Sequence, residues 1–173
     1  MNFQFNEDDL EQVALEWLQS LGYEYKKGNE ISVMGLTPER KSDKEVVLHE
    51  RLEKALRKIN SDIHPRFIEK AIHELTLEKS PNLLENNLTF HENLINGIEI
   101  EDYDDEGQSI VEIVKIVDFE HPQNNDFLAV NQFTVINGDY TKRPDIVLFI
   151  NGLPIVVIEL KNSTNETVGV EDG

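Results

Sequence analysis

The sequence contains no cysteine, which excludes disulfide bonds, thiolate metal sites and a cysteine nucleophile. Its 173 residues hold no apolar run near the ~20 residues that a membrane helix needs. The first residues also lack the basic and apolar regions of a signal peptide. We therefore expect a soluble, cytoplasmic protein that makes no membrane contact.

Basic residues are scarce: 16 lysines and arginines stand against 34 acidic residues, which gives a formal net charge of -18. The mean electrostatic field of such a chain repels nucleic acids and anionic membranes. Any function on DNA must therefore be reconciled with this charge. The apolar share of 39% and the charged share of 29% are ordinary for a globular protein, so we expect a folded chain with a real core.

Apolar residues recur at helical spacing through the first hundred residues, and this spacing predicts helices there. The face that carries Trp17 in the first helix is expected to be buried. We predict four helices, over residues 6–21, 44–59, 65–77 and 80–97.

After Gly97 the apolar pattern becomes alternating or continuous and β-branched, which predicts strands. The last two runs, 144–150 and 153–160, are apolar at consecutive positions, so we expect helices to cover both faces of both strands. The pattern as a whole predicts an α/β fold with a mixed β-sheet and flanking N-terminal helices. We expect a mainly helical region over 1–97, a β-rich core over 98–162 and a polar tail over 163–173 that is the cut end of a longer chain.

An aspartate and a Glu-x-Lys triplet stand at the same end of the predicted final hairpin. Asp145 follows Pro144 at the start of one strand, and Glu159, Leu160 and Lys161 end the next. Carboxylates and a main-chain carbonyl are the oxygen ligands that Mg²⁺ prefers, so Asp145, Glu159 and the carbonyl of Leu160 are the predicted metal ligands. Lys161 could orient the attacking water or offset developing negative charge. This is the spacing of the PD-(D/E)xK nucleases.

The same charges could simply be the polar ends of buried strands that must reach water. Geometry sets a further condition on the nuclease interpretation. If Asn151 and Gly152 form an ordinary two-residue turn, Asp145 pairs with Ile158, and Glu159 faces the other side of the sheet. We therefore predict that the register shifts by one residue, through a longer loop or a β-bulge, so that Asp145 opposes Glu159.

Candidate metal ligands outside this hairpin have weaker sequence support. The acidic stretch 102–107 does not fit a calcium-binding EF-hand loop, because the twelfth position is Ile113, and we expect a turn between strands. None of the five histidines forms a pair at metal-binding spacing. A helical glutamate often completes a nuclease metal site, and Glu85 or Glu92 of the fourth predicted helix could do so.

The run from 124 to 162, together with "SPNLLENNLTFHENLINGIEIED", resembles the N-terminal region of the restriction (R) subunit of type I restriction-modification enzymes. The likeness extends over nearly the whole chain, from "EQVALEWLQSLGYEY" onward. It implies a PD-(D/E)xK restriction-endonuclease-like core, in which Asp145 and Glu159 bind Mg²⁺ and Lys161 is the catalytic lysine. The family's Gln-x-x-x-Tyr element, which follows the lysine, is absent from this sequence, and the resemblance implies that activity also needs that element.

The resemblance further implies an endonuclease that cleaves double-stranded DNA within an ATP-dependent complex, together with methyltransferase and specificity subunits. ATP would bind to downstream domains, because this sequence has no glycine-rich phosphate loop followed by Lys-Ser or Lys-Thr. Those other parts of the complex could grip the DNA, which would explain the acidic charge. Lys142 and Arg143 could form a small positive lip beside the site, or they could simply solvate a loop. The alternative function is a catalytically inactive nuclease-like module, or an acidic DNA-mimicking interaction module.

Overall fold

The computed structural model describes residues 7–77, 80–104 and 106–161, so the tail expected over 163–173 lies outside the described residues. In this part of the chain the helices are α1 Glu7–Ser20, α2 Gly28–Ile31, α3 His49–Ile59, α4 Pro65–Thr76 and α5 Leu83–Asn96. The strands are β1 Glu24–Lys27, β2 Ile98–Tyr103, β3 Ser109–Val114, β4 Phe127–Asn131, β5 Val135–Asn137, β6 Tyr140–Lys142, β7 Ile146–Ile150 and β8 Leu153–Ile158. None of the helices within these ranges is long and apolar enough to span a bilayer.

The largest sheet has four strands in the order β1, β4, β7, β8. Strands β1 and β4 are parallel, with Tyr25 opposite Ala129. Strands β7 and β8 are separated by only two residues, a connection that antiparallel strands alone can use. The sheet is therefore mixed, and the predicted α/β fold with N-terminal helices is confirmed. Two smaller sheets pair β2 with β3 and β5 with β6.

Contacts between residues group the chain into two compact units built from interleaved segments. Of the described residues, the first unit comprises 7–45, 127–149 and 154–161, and the second comprises 46–77, 80–104, 106–126 and 150–153. The helical and β-rich regions expected from the sequence describe the order of elements along the chain, whereas each unit draws on both kinds of element.

The core of the first unit packs helix α1 against the sheet. Leu15, Ala129, Ile146 and Leu148 form one buried cluster. Trp17, which we expected in this core, is 70% exposed, so that prediction is wrong. Two residues along an α-helix turn the side chain by about 200°, which directs Trp17 away from the face that carries Leu15.

The core of the second unit packs helices α3 and α4 with the β2–β3 ribbon. Its buried side chains include Leu52, Leu56, Phe67, Ile98 and Val114. Helix α3 begins at residue 49 rather than near residue 44, and the residue before it is fixed by a tertiary hydrogen bond. There the Leu48 amide donates to the carbonyl of Gly152 over 2.8 Å.

Strands β7 and β8 differ in burial, although both sequences are apolar at consecutive positions. Residues 146–149 of β7 are buried, as expected for a strand inside a sheet. Strand β8 lies at the sheet edge, and Ile155, Val156 and Val157 are 36%, 42% and 60% exposed. The expectation that both faces of this last strand are covered is therefore wrong for the described residues, because an apolar run does not distinguish an edge strand from a central one.

Candidate active site

Asp145 lies directly before β7 and is held from two sides. Its side-chain oxygen Oδ2 accepts a hydrogen bond from the main-chain amide of Leu160 over 2.7 Å. Its main-chain carbonyl accepts from the amide of Gln132 over 2.9 Å. The structure thus brings the predicted aspartate to the backbone of the Glu-x-Lys triplet. Glu159 and Lys161 flank this contact, and both side chains are exposed.

The turn between β7 and β8 is a two-residue turn, since Asn151 and Gly152 have φ angles of 53° and 78°. The longer loop that we considered is therefore wrong. Strand β8 has six residues where β7 has five, and Ile158 packs on the core side with Ile146. In a ladder without a bulge, Val157 would occupy that side. Both observations favour a β-bulge in β8, which stays a prediction.

A carboxylate that sequence reasoning missed joins this site from helix α1. Glu11 accepts a hydrogen bond from Nδ2 of Asn131 over 2.6 Å and another from Nε2 of Gln132 over 2.8 Å. The same Gln132 nitrogen lies 3.4 Å from Oδ1 of Asp145. One amide nitrogen therefore links two carboxylates. The carboxylates of Glu11, Asp145 and Glu159 do not all approach within 4.8 Å of one another.

The sequence did carry a signal for Glu11. It precedes Leu15 by four residues, which places it on the same, inward face of α1, where an acidic side chain needs a partner. Glu85 and Glu92, the helical candidates from the sequence, belong to helix α5 in the second unit, and Glu85 accepts a hydrogen bond from the hydroxyl of Ser80 over 2.6 Å. The helical acid that the structure links to Asp145 is Glu11.

The surroundings of this site shift the pKa of a neighbouring tyrosine, Tyr25. Burial, followed by the nearby charges of Glu11 and Glu30, raises the pKa of Tyr25 above its ordinary value. The phenol of Tyr25 therefore stays neutral and retains its proton at physiological pH.

Asn131 provides a test of whether a hydrated cation fits these residues. Its Nδ2 is committed to Glu11, and its Oδ1 is buried without a hydrogen-bond partner among the described residues. A buried acceptor without a partner is rare and calls for a donor. Water bound to Mg²⁺ is such a donor, and Mg²⁺ usually keeps several of its waters in proteins. These oxygen donors and this open acceptor suit a hydrated divalent cation.

A second group of candidate ligands lies elsewhere, in the second unit. Within the described part of the chain, Asp118, Glu120 and His121 have ligand atoms that all lie within 4.8 Å of one another. The carboxylate of Asp118 is already engaged, because it accepts from the side chain of Asn124 and from the amides of Glu120 and His121. The side-chain bond from Asn124, followed by the amide of His121, lowers the pKa of Asp118. We interpret this group as a turn braced by an aspartate.

Lys142 ends strand β6, and Arg143 follows it; both are exposed. The acidic stretch 102–107, expected to be a turn between strands, begins with the last two residues of β2, and Oδ1 of Asp104 accepts from the amides of Glu106 and Gln108. That pattern is an ordinary turn stabilised by an aspartate.

Comparison with known proteins gives consistent matches. A family model described as "Type I restriction enzyme R protein N terminus" matches residues 4–173. The chain is 40% identical over 163 residues to the type I restriction enzyme HindI endonuclease subunit of Haemophilus influenzae. It is 37% identical over 171 residues to a Methanocaldococcus jannaschii protein with the provisional name type I restriction enzyme MjaIXP endonuclease subunit. Each match covers 94% of this chain but only 15% and 16% of the respective relative.

Proposed function

This chain belongs to the family of type I restriction enzyme R protein N termini, as its sequence resemblance indicated, and we propose that it is the DNA-cleaving domain of such a subunit. The proposed reaction is metal-dependent hydrolysis of a DNA phosphodiester bond. We further propose that the fold is a PD-(D/E)xK core. The mixed sheet and the helix packed on it support that assignment.

The observation that carries the proposal is the hydrogen bond from the Leu160 amide to Oδ2 of Asp145 over 2.7 Å. It ties the aspartate of one strand to the residue between Glu159 and Lys161. Polar strand ends that merely reach water need no such contact with each other. The bond therefore favours an assembled site over two independent polar ends.

The proposed metal is Mg²⁺, held by Asp145, Glu159 and the main-chain carbonyl of Leu160, with Glu11 as a further carboxylate. All of these donors are oxygens, which suits a hard divalent cation. The buried Oδ1 of Asn131 would accept a hydrogen bond from a metal-bound water. When bound, the cation lowers the pKa of a water molecule and neutralises phosphate charge.

The protein's own side chains then have distinct tasks. The Leu160 amide fixes the orientation of the Asp145 carboxylate, because it occupies one of the two oxygens. The exposed ammonium of Lys161 can hold the attacking water or donate to a phosphate oxygen as charge develops there. Lys142 and Arg143, also exposed, are candidates for phosphate contacts at the rim.

The charge of -18 requires that most of the DNA affinity come from elsewhere. We propose that the other parts of a restriction-modification complex, with its methyltransferase and specificity subunits, hold the double-stranded DNA. The chain spans about 15% of the length of the relatives that it matches. ATP binding is accordingly assigned to other parts of the longer protein, which would act in the cytoplasm, where its DNA substrate is found.

One observation favours a second candidate function. A charge of -18 on 173 residues also suits an inactive, acidic module that binds a basic partner or mimics DNA. Such a module needs no cation between Asp145 and Glu159. Metal binding therefore separates the two candidates.

The test is a calorimetric titration of the chain with Mn²⁺, repeated for Asp145→Asn, Glu159→Ala and Glu120→Ala. We expect the wild-type heat to disappear in the first two variants and to persist in the third, since Glu120 belongs to the other acidic group. Heat that disappears only in Glu120→Ala, or no heat from the wild type, would contradict the nuclease proposal and favour the acidic module.

A further inference from the structure

Gln132 adopts an unusual backbone conformation. Its φ angle is 52°, and Asn151 is the other non-glycine residue with a positive φ in the described part of the chain. Asn151 stands in a two-residue hairpin turn, where this conformation is the expected one. Gln132 instead directly follows strand β4, outside any hairpin turn. Glycine adopts this conformation without steric cost, whereas the Cβ of a glutamine makes it strained.

The neighbouring residues impose this conformation on Gln132. Its amide is bound to the carbonyl of Asp145, and a Cβ placed on Gly28 would lie 2.4 Å from the Gln132 carbonyl oxygen. The next residue, Phe133, is buried edge-on against Phe149, with 5.2 Å between the ring centroids. The backbone is therefore fixed on both sides of Gln132. Nothing in these contacts requires the glutamine side chain.

Within the described part of the chain, the side-chain amide of Gln132 has its hydrogen bonds with carboxylates. Its Nε2 donates to Glu11 over 2.8 Å and lies 3.4 Å from Oδ1 of Asp145. We propose that Gln132 is a positioning residue of the metal site: its amide holds Glu11 beside Asp145, so that both carboxylates are available to one divalent cation. This inference rests on the proposed function.

A neutral amide suits this task better than a charged donor. Two carboxylates near each other repel, and an N–H group that reaches both offsets this repulsion. A lysine in the same place would also hold them, but its positive charge would oppose binding of the cation. The amide organises Glu11 and Asp145 and leaves their negative charge for the metal.

Two substitutions separate the side chain from the backbone strain. Gln132→Gly removes the amide and relieves the left-handed strain, whereas Gln132→Met removes the amide but keeps the strain and nearly the same length. We expect the dissociation constant for Mn²⁺, measured by calorimetry, to rise about 10- to 100-fold in both variants. The melting temperature of Gln132→Gly should equal or exceed that of the wild type, which a merely structural role does not allow.

The Glu11→Gln background tests whether Gln132 acts through Glu11. Because residues that act together have non-additive effects, Gln132→Gly should weaken Mn²⁺ binding little further in that background. Full additivity would overturn the positioning role. So would wild-type affinity in Gln132→Gly, or a fall of several degrees in its melting temperature. If Asp145→Asn still abolishes binding in those cases, the proposed function stands without this role; a wild-type chain that binds no Mn²⁺ overturns both.

Discussion

Leu48 and Gly152 are in direct backbone contact: the Leu48 amide donates to the Gly152 carbonyl over 2.8 Å, and a Cβ on Gly152 would lie 2.5 Å from the Leu48 carbonyl oxygen. Gly152 also has a φ angle of 78°, which L-residues with a side chain rarely adopt. The β7–β8 turn and the start of helix α3 therefore fit together only if residue 152 has no side chain.

Gly152→Ala should lower the free energy of unfolding by roughly 2 to 4 kcal/mol, because it combines left-handed strain with a steric clash. Gly138→Ala is the matched control, since Gly138 has a φ angle of 61° and open space around its Cα. It should cost only about 1 kcal/mol. Urea unfolding of both variants measures the difference. Equal losses would show that the contact with Leu48 is unimportant.

Replacing the smaller Leu15 by alanine should lower stability more than replacing the larger Trp17. Leu15→Ala removes a side chain that is 2% exposed, and the resulting cavity should cost about 3 kcal/mol of stability. Trp17→Ala changes a side chain that is 70% exposed and should stay within about 0.5 kcal/mol of wild type. Chemical denaturation of the two variants tests this. A larger loss for Trp17→Ala would contradict the orientation of α1.

Asp118 should contribute to acid unfolding. Its side-chain bond with Asn124 and its bond with the His121 amide lower its pKa below the ordinary 3.8. A carboxyl whose pKa is lower in the folded than in the unfolded state stabilises the fold above the unfolded value. That stabilisation is lost as the pH falls from 3.8 through the folded pKa. In Asp118→Asn, stability measured by urea unfolding should depend less steeply on pH below about 4, the region set by its ordinary pKa. Parallel curves for wild type and variant would exclude this contribution.

Lys161→Met should separate metal binding from catalysis. Under the proposed function the lysine stabilises developing charge, so its removal should slow DNA cleavage by the full-length enzyme about 100- to 1000-fold. The Mn²⁺ affinity of the chain should not fall, because Lys161 supplies no ligand. Lys142→Met is the matched control, since Lys142 is likewise exposed, and its effect on cleavage should be small. Equal activity of the two variants would remove Lys161 from the mechanism.

Local periodicity predicted the helices and strands better than it predicted which of their side chains are buried. The spacing in α1 gave a helix, but it assigned Trp17 to the buried face, which the structure builds around Leu15. Apolar residues occupy several neighbouring positions of α1, so the sequence leaves the centre of the buried face uncertain by about a residue or two. Glu11 was missed for the same reason, because its inward position becomes visible only once Leu15 defines the face.

The candidate site has one component that is local in the sequence and one that is not. The spacing of Asp145 and the Glu-x-Lys triplet pointed to one hairpin, and the bond between Leu160 and Asp145 joins the two there. The link through Gln132 to Glu11 joins positions more than a hundred residues apart in the sequence. No local pattern encodes such a contact, since it depends on the parallel pairing of β1 with β4.

The interleaved composition of the first unit has a consequence for how the protein is made. Its sheet pairs β1, near the start of the chain, with β4, about a hundred residues later, and such distant pairings form slowly. Residues 46–126 are nearly the whole second unit, so most of that unit leaves the ribosome while helix α1 still waits for its partner strands. Glu11, Gln132 and Asp145 come together only after synthesis has passed the last of them. The carboxylates of Glu11 and Asp145 thus stay apart until the segments on both sides of residues 46–126 have been synthesised.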